Sequence, residues 1–381
     1  MQIKLSHLDE LAPEKSVDLN QVKEPSYGRV LEDFEIGAVF VHPRGITVSE
    51  AFAIEFATTF METNPLYLNR EYAKEHGFKD LLVSPMMVLN LALSMGVQND
   101  SEKAIANLGY YNLKFTKAVY PGDTLRAYTK VLDRRDRGEG KPGIVTIRTV
   151  AVNQTNLNVL QYDRKIMVPP LGAKTIPTTL SQDDIPEVSS EPSLKLPDVS
   201  NYPRDLTGLN SYFGNFTAGD IILHPNGRTI TDEHFPWTYR VLNTHPLHYD
   251  RLYSTRRTGK MSGEPIVYGG LAFAWLCGLA SRDVSENAVW DLGYTEGYHT
   301  QPLVSGDTIY AVSRVLDKQD VNEQLGIVSF QLIGVKGLSG KEALDKYGED
   351  LFIKENLKKK MDKDKISDKI FEIERKLLIK K

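Results

Sequence analysis

Two stretches of the chain, residues 86–96 and 271–280, are apolar on every side over three turns, which predicts two helices buried all round. Around them lie runs in which Val, Ile, Thr and Tyr alternate with polar residues, at 104–115, 124–132 and 144–152. That period of two predicts antiparallel strands with one face on a core. Before each apolar helix a short strand (44–48, and again 228–230) leads through Ser49 or Thr231 into another helix, and both residues suit an N-cap. One long helix followed by several strands, twice over, predicts an α+β fold with the sheet wrapped around the helix.

The two halves are copies. Phe34-Glu-Ile-Gly37 with His42-Pro-Arg-Gly45 returns as Phe216-Thr-Ala-Gly219 with His224-Pro-Asn-Gly227. Asn64-Pro-Leu-Tyr67 returns as His245-Pro-Leu-His248, and Leu108-Gly-Tyr110 as Leu292-Gly-Tyr294. Pro121-Gly-Asp-Thr124 returns as Ser305-Gly-Asp-Thr308 at an almost unchanged separation. The last strand, Tyr162 to Val168, matches Ile373 to Ile379, where the separation has widened. The second copy therefore carries an insertion, which we place at about 338–369. It is rich in helix formers, so a helical excursion before the closing strand is expected. The organisation reads as an arm at 1–30, a first unit at 31–170, a Pro/Ser/Asp-rich linker at 171–206 and a second unit at 207–381.

Composition narrows the function. A net charge of -4 and a pI near 6.1 provide no global basic field for nucleic acid. The lysines of 358–369 are interleaved with acids and read as a solvated helical face. Cys277 is the one cysteine, which excludes an internal disulfide and a cysteine metal cluster. The apolar run 81–97 is interrupted by Ser84, Pro85, Asn90 and Ser94, so it reads as a core helix and not a membrane span. The N-terminus has no apolar leader, and a cytoplasmic protein is expected. His245 and His248 alone make a poor metal site, and neither a Gly-rich phosphate loop nor a serine elbow is present.

The duplicated unit, with its Pro-Gly-Asp-Thr and Ser-Gly-Asp-Thr turns after a strand and its Asn/His-Pro turn, resembles a tandem (double) hotdog. The pattern is similar to the MaoC-like family of (R)-specific enoyl-CoA hydratases, whose site motif reads Asp-x-Asn-Pro-x-His. Ala106 to Tyr110 and Val119 to Thr129 look particularly like the mesaconyl-CoA hydratase (β-methylmalyl-CoA dehydratase) branch. The resemblance implies a lyase acting on an acyl-CoA, without a cofactor beyond the CoA of its substrate, and hotdog proteins commonly pair, so a homodimer is expected. Laid on this chain, the motif becomes Asn243-Thr-His-Pro-Leu-His248 in the second unit and Glu62-Thr-Asn-Pro-Leu-Tyr67 in the first. Only the second keeps the histidine.

Hydrating a thioester-conjugated double bond needs a base for water, an acid for the α-carbon and donors for the enolate oxygen. His248 suits the first two roles, because an imidazole titrates near the working pH. Asn243 cannot exchange a proton but can position water; Asp250 and Glu264 are further candidate acids. The donors are sought where Tyr268-Gly269-Gly270 opens the second apolar helix, matching the family's His-Gly segment, since N–H groups there lack partners and the dipole favours an anion. The first unit has Pro85 at that position, which has no N–H. The first unit thus reads as scaffold and the second as catalytic. Arg251, Arg256, Arg257 and Lys260, between His248 and Gly269, are candidates for a distal carboxylate or the CoA phosphates, or simply a solvated loop. His42 and His224, present in both copies, read as structural. An acyl-CoA thioesterase and a silent CoA-binding module stay open beside the hydratase.

Overall fold

A computed structural model describes residues 18–170, 183–186, 199, 203–257 and 262–381. The expected linker and arm therefore lie largely outside the described residues. Among those described, the first unit contains strands β1 (Val39–Val41), β2 (Ile46–Thr47), β3 (Ala106–Phe115), β4 (Thr124–Arg135), β5 (Gly143–Val152) and β6 (Asn158–Val168). The second contains β7 (Ile221–Thr229), β8 (Ala288–His299), β9 (Thr308–Asp320), β10 (Leu325–Lys336) and β11 (Lys369–Lys380). They join in the order β1-β4-β5-β6-β3-β8-β11-β10-β9-β7, with β2 on β4. The order is the same read from either end for the paired copies. The seam is the antiparallel pair β3–β8, where Leu113 faces Tyr294.

The helices are α1 (Glu50–Thr59), α2 (Arg70–Glu75), α3 (Pro85–Gly96), α4 (Trp237–Arg240), α5 (Arg251–Thr255), α6 (Gly269–Ala280), α7 (Gly340–Tyr347) and α8 (Glu355–Lys358). The two apolar helices, α3 and α6, are buried along their lengths and share one hydrophobic cluster with the sheet. They also touch each other: the Asn90 amide donates to the Gly270 carbonyl at 3.1 Å. Each continues into one π turn, at Val97–Ser101 and Ser281–Ser285.

Two expectations are corrected. Ser49 caps α1, accepting from Phe52 N at 3.2 Å, but Thr231 opens only a single 3-10 turn, Asp232–His234. There Thr231 N donates to the His234 ring instead, and Pro236, which has no N–H to donate, separates that turn from the four-residue α4. The lysines of the insertion are not all solvated. Lys358 and Lys369 are fully buried, paired with Glu355 at 2.7 Å and Glu372 at 2.5 Å. Lys369 also donates to the carbonyls of Leu351 and Ile353. This ion cluster carries the chain from α8 back into β11, which pairs with both β8 and β10.

Candidate active site

The turn before α5 is built by its own side chains. The Asn243 amide oxygen accepts from His245 N at 2.9 Å, and His245 Nδ1 accepts from Leu247 N at 3.2 Å. Glu62 and Asn64 do the same in the first unit, accepting from Asn64 N and Leu66 N. His245 is thus tied into the turn, and its pKa is pushed down to about 3 by burial and by the neighbouring His248. The Asn243 oxygen is likewise occupied, while its NH2 has no partner among the described residues and the residue lines the chamber below.

His248 follows Pro246 in one 3-10 turn, Pro246–His248. Its Nδ1 lies 3.0 Å from the Ile266 carbonyl. A carbonyl only accepts, so Nδ1 carries the proton and Nε2 keeps its lone pair. Burial pushes the imidazole down to about 4, with the carbonyl pulling weakly the other way. It is neutral at neutral pH, as a base must be.

Gly269 and Gly270 start α6, and no side chain caps their N–H groups. A Cβ on Gly269 would stand 2.7 Å from His299 Nε2, and one on Gly270 2.2 Å from Asn90 Oδ1. Both positions therefore need glycine for space. The Tyr268 ring lies 5.4 Å from that of His248, and its hydroxyl is 3.3 Å from Ser94 Oγ. Burial raises its pKa well above the usual phenol value, so it acts as a hydrogen-bonding wall and not as an acid.

Asn243, His245, His248, Tyr268 and Gly269 line a chamber of about 370 Å³ together with Asn107, Tyr110 and Arg164 of the first unit, while Gly270 is not part of its lining. The matching hollow in the first unit is about 30 Å³ and is lined by Tyr67, Pro85 and Asp291. There Tyr67 is buried where His248 stands, and Asp291 pairs with Arg375 at 2.9 Å. Each chamber draws its turn and helix start from one unit, and strands of both units contribute to its wall.

A second chamber histidine escaped the sequence reading. His299 ends β8, is pushed down to about 4 by burial and then by His248, and meets the Tyr110 hydroxyl through Nε2 at 3.3 Å. Its counterpart is Phe115, since Phe371 faces His299 in the register in which Leu160 faces Phe115. Lining up the copies at this strand end would have exposed it.

Comparison with known proteins decides the family. The model of the mesaconyl-CoA hydratase family matches residues 14–339. The chain belongs to that family. It is similar to the beta-methylmalyl-CoA dehydratase of Chloroflexus aurantiacus, 30% identical over 77% of this chain and 84% of the relative. The mesaconyl-CoA hydratase of Cereibacter sphaeroides is 29% identical over 81% of this chain and 90% of the relative. Among solved structures, a MaoC-domain dehydratase from Chloroflexus aurantiacus superposes with a TM-score of 0.79 at 25% identity, covering 94% of this chain and 99% of its own. A double-hotdog protein of Mycobacterium tuberculosis superposes with a TM-score of 0.70 at 20% identity, covering 93% and 99%. The double hotdog expected from the sequence is the fold.

The loop cations of this family member sit elsewhere. Arg251 pairs with Glu264 at 2.9 Å with both side chains exposed. Arg257 meets the Tyr253 hydroxyl at 2.9 Å, and Arg256 is exposed. None of the three lines the chamber, and Lys260 lies outside the described residues. Asp250 caps α5 by accepting from Tyr253 N. His42 and His224 are buried and tied into the sheet through Thr129 and Ser313, as scaffold histidines are. No group of three potential metal ligands occurs among the described residues, nor does a helix long and apolar enough to cross a membrane.

Proposed function

We propose that the chain is a hydro-lyase that reversibly adds water to a 2-enoyl-CoA, with mesaconyl-CoA and β-methylmalyl-CoA as the substrate pair that its relatives' names indicate. The observation that carries this reading is the coincidence, in one roomy chamber, of a neutral imidazole with a free Nε2 and an uncapped, proline-free helix start.

In the proposed reaction water lies between His248 Nε2 and the Asn243 NH2. Nε2 takes a proton as the oxygen bonds to the β-carbon, and the electron pair of the double bond moves toward the thioester oxygen. The N–H groups of Gly269 and Gly270 meet the charge developing there, an arrangement worth about 3–4 kcal/mol of barrier per donor. The imidazolium then returns the proton to the α-carbon, so one water is consumed and His248 ends neutral. Nothing in these steps calls for a cofactor. The lining of this chamber contains no Asp or Glu, which weighs against thioester hydrolysis by a carboxylate. Within this reading the first unit is scaffold and tunnel wall, the second is catalytic, and Arg251, Arg256 and Arg257 are left the outer role of contacting CoA phosphates. A cytoplasmic homodimer completes it, the dimer open to sedimentation analysis.

The test follows enoyl-thioester absorbance and free thiol together on crotonyl-CoA and mesaconyl-CoA. Absorbance loss without thiol is the expected result. Thiol release would make the protein a thioesterase, and no change in either signal would leave a silent CoA-binding module.

A further inference from the structure

The chamber contains one buried cation that the hydration steps do not use. Arg164, on β6, is about 5% exposed and lines the chamber wall. Only its Nη2 has hydrogen-bond partners among the described residues, Ser101 of the chamber wall and Asp100 behind that wall, both at a long 3.3 Å. Its buried Nε has none. A guanidinium that has left water without filling its donors costs stability, so a missing partner is to be sought on the chamber side.

The other half of the molecule holds that partner. Arg164 faces Tyr110 across β6–β3, and Arg375 faces Tyr294 across β11–β8, so the two arginines are equivalent. The Asp291 carboxylate accepts from Arg375 Nε at 3.0 Å and from the Tyr294 hydroxyl at 2.9 Å, and it lies 2.9 Å from Arg375 Nη2. The residue equivalent to Asp291 is Asn107, three before Tyr110 as Asp291 is three before Tyr294. Asn107 keeps the contact to the backbone, its oxygen accepting from Gly109 N at 3.2 Å as that of Asp291 does from Gly293 N at 3.1 Å. What it lacks is the negative charge. Where the filled hollow has a protein carboxylate on its arginine and tyrosine, the open chamber has an empty position of the same chemistry.

Asp100 does not fill that role. It approaches from the rear, is also held by Thr129, and shares its charge with Arg29 as well as Arg164. Its equivalent in the second unit is Val284, so the rear pairing belongs only to the half whose front is open.

We propose that Arg164, with the Tyr110 hydroxyl, binds a carboxylate at the far end of the acyl group and so makes the enzyme selective for dicarboxylic enoyl-CoA substrates. This deepens the hydratase reading and rests on it, and it replaces the loop arginines as the distal-carboxylate contact. A fork of donors suits a carboxylate, and a buried charge pair deprived of one member loses affinity steeply.

The test compares kcat/KM for mesaconyl-CoA with that for tiglyl-CoA, its isostere with a methyl in place of the carboxylate. Wild type should prefer mesaconyl-CoA by about 100-fold or more. Arg164→Gln removes the cation, and Asn107→Asp supplies the protein carboxylate that the other half already tolerates. Each should reduce the preference below about tenfold, chiefly by slowing mesaconyl-CoA. Circular dichroism melts accompany both variants, and Asn107→Asp leaves Arg164 in place, so a fold defect in Arg164→Gln does not decide the matter. A preference unchanged in both variants, or a wild type that hydrates tiglyl-CoA as well as mesaconyl-CoA, overturns the assignment while the hydratase reading stands. Two inert substrates would overturn the hydratase reading itself.

Discussion

The two chambers of this molecule share a frame, and four of the positions at which they differ set them apart chemically. In the open one a histidine, a glycine, an asparagine and a second histidine stand at positions 248, 269, 107 and 299; in the closed one Tyr67, Pro85, Asp291 and Phe115 replace them. The turn, the buried helix, the tyrosine and the arginine are common to both. The frame is therefore kept in both copies, whereas the imidazole at the turn and the proline-free helix start are kept in one. In the closed copy an ion pair and a phenol occupy the volume that substrate would take.

The sharpest way to break this comparison is a pair of truncations. His248→Ala should lower kcat about 1000-fold, the usual scale for losing a positioned proton acceptor, while Tyr67→Ala should retain most activity. Equal losses in steady-state assays would mean that the chambers have been assigned the wrong way round. Next come the helix starts. Gly269→Ala forces a methyl to 2.7 Å from His299 Nε2 and displaces the donor there, so kcat/KM should fall about 100-fold. Pro85→Ala, in the closed half, should stay within about twofold, since the donor it creates faces a hollow with no room for substrate.

Stability separates the halves in a different way. Asp291→Asn leaves Arg375 buried without its counter-charge, and urea titration should show a loss of about 3 kcal/mol. Removing the exposed Arg251–Glu264 pair should be lost in the error of the same titration. The pH dependence draws on both halves together. Burial lowers His42, His76, His248 and His299 to about 4 and His245 to about 3. Between those values and 6.5 the unfolded chain binds more protons than the folded one, so stability rises with pH across that window and is level above it. Buried Glu62, whose carboxyl is held above its ordinary value by desolvation, offsets part of this at the acid end. Thermal midpoints should therefore fall progressively from pH 6.5 to 4, and a midpoint flat or rising on acidification would show these rings to be solvated.

Much of this was legible in the sequence, because duplication supplies an internal control. The two apolar helices and most strand positions followed from periodicity, and the turn motif with the helix start singled out His248 and Gly269. What was missed was missed for identifiable reasons. His299 lies at a strand end, outside any motif, and only register across β8–β11 ties it to Phe115. The shortness of α4 comes from Pro236 and the His234 ring acting within a segment that otherwise reads as helical. Lys358 and Lys369 each have their carboxylate three residues away, but that both pairs are buried and brought together follows only from the packing of α8 against β11. The loop arginines drew attention by local density of charge. Arg164 sits beside Lys165 in β6, and only the fold shows that Arg164 is the one of the two carried into the chamber.

The most direct measurement is a crystal structure with methylsuccinyl-CoA, the saturated and therefore unreactive analogue of mesaconyl-CoA. The account predicts its thioester oxygen at the N–H groups of Gly269 and Gly270, its β-carbon beside His248 Nε2, and its carboxylate on Arg164. An acyl group lodged beside Tyr67 and Pro85, or the His248 ring turned away from a thioester bound elsewhere, would contradict it.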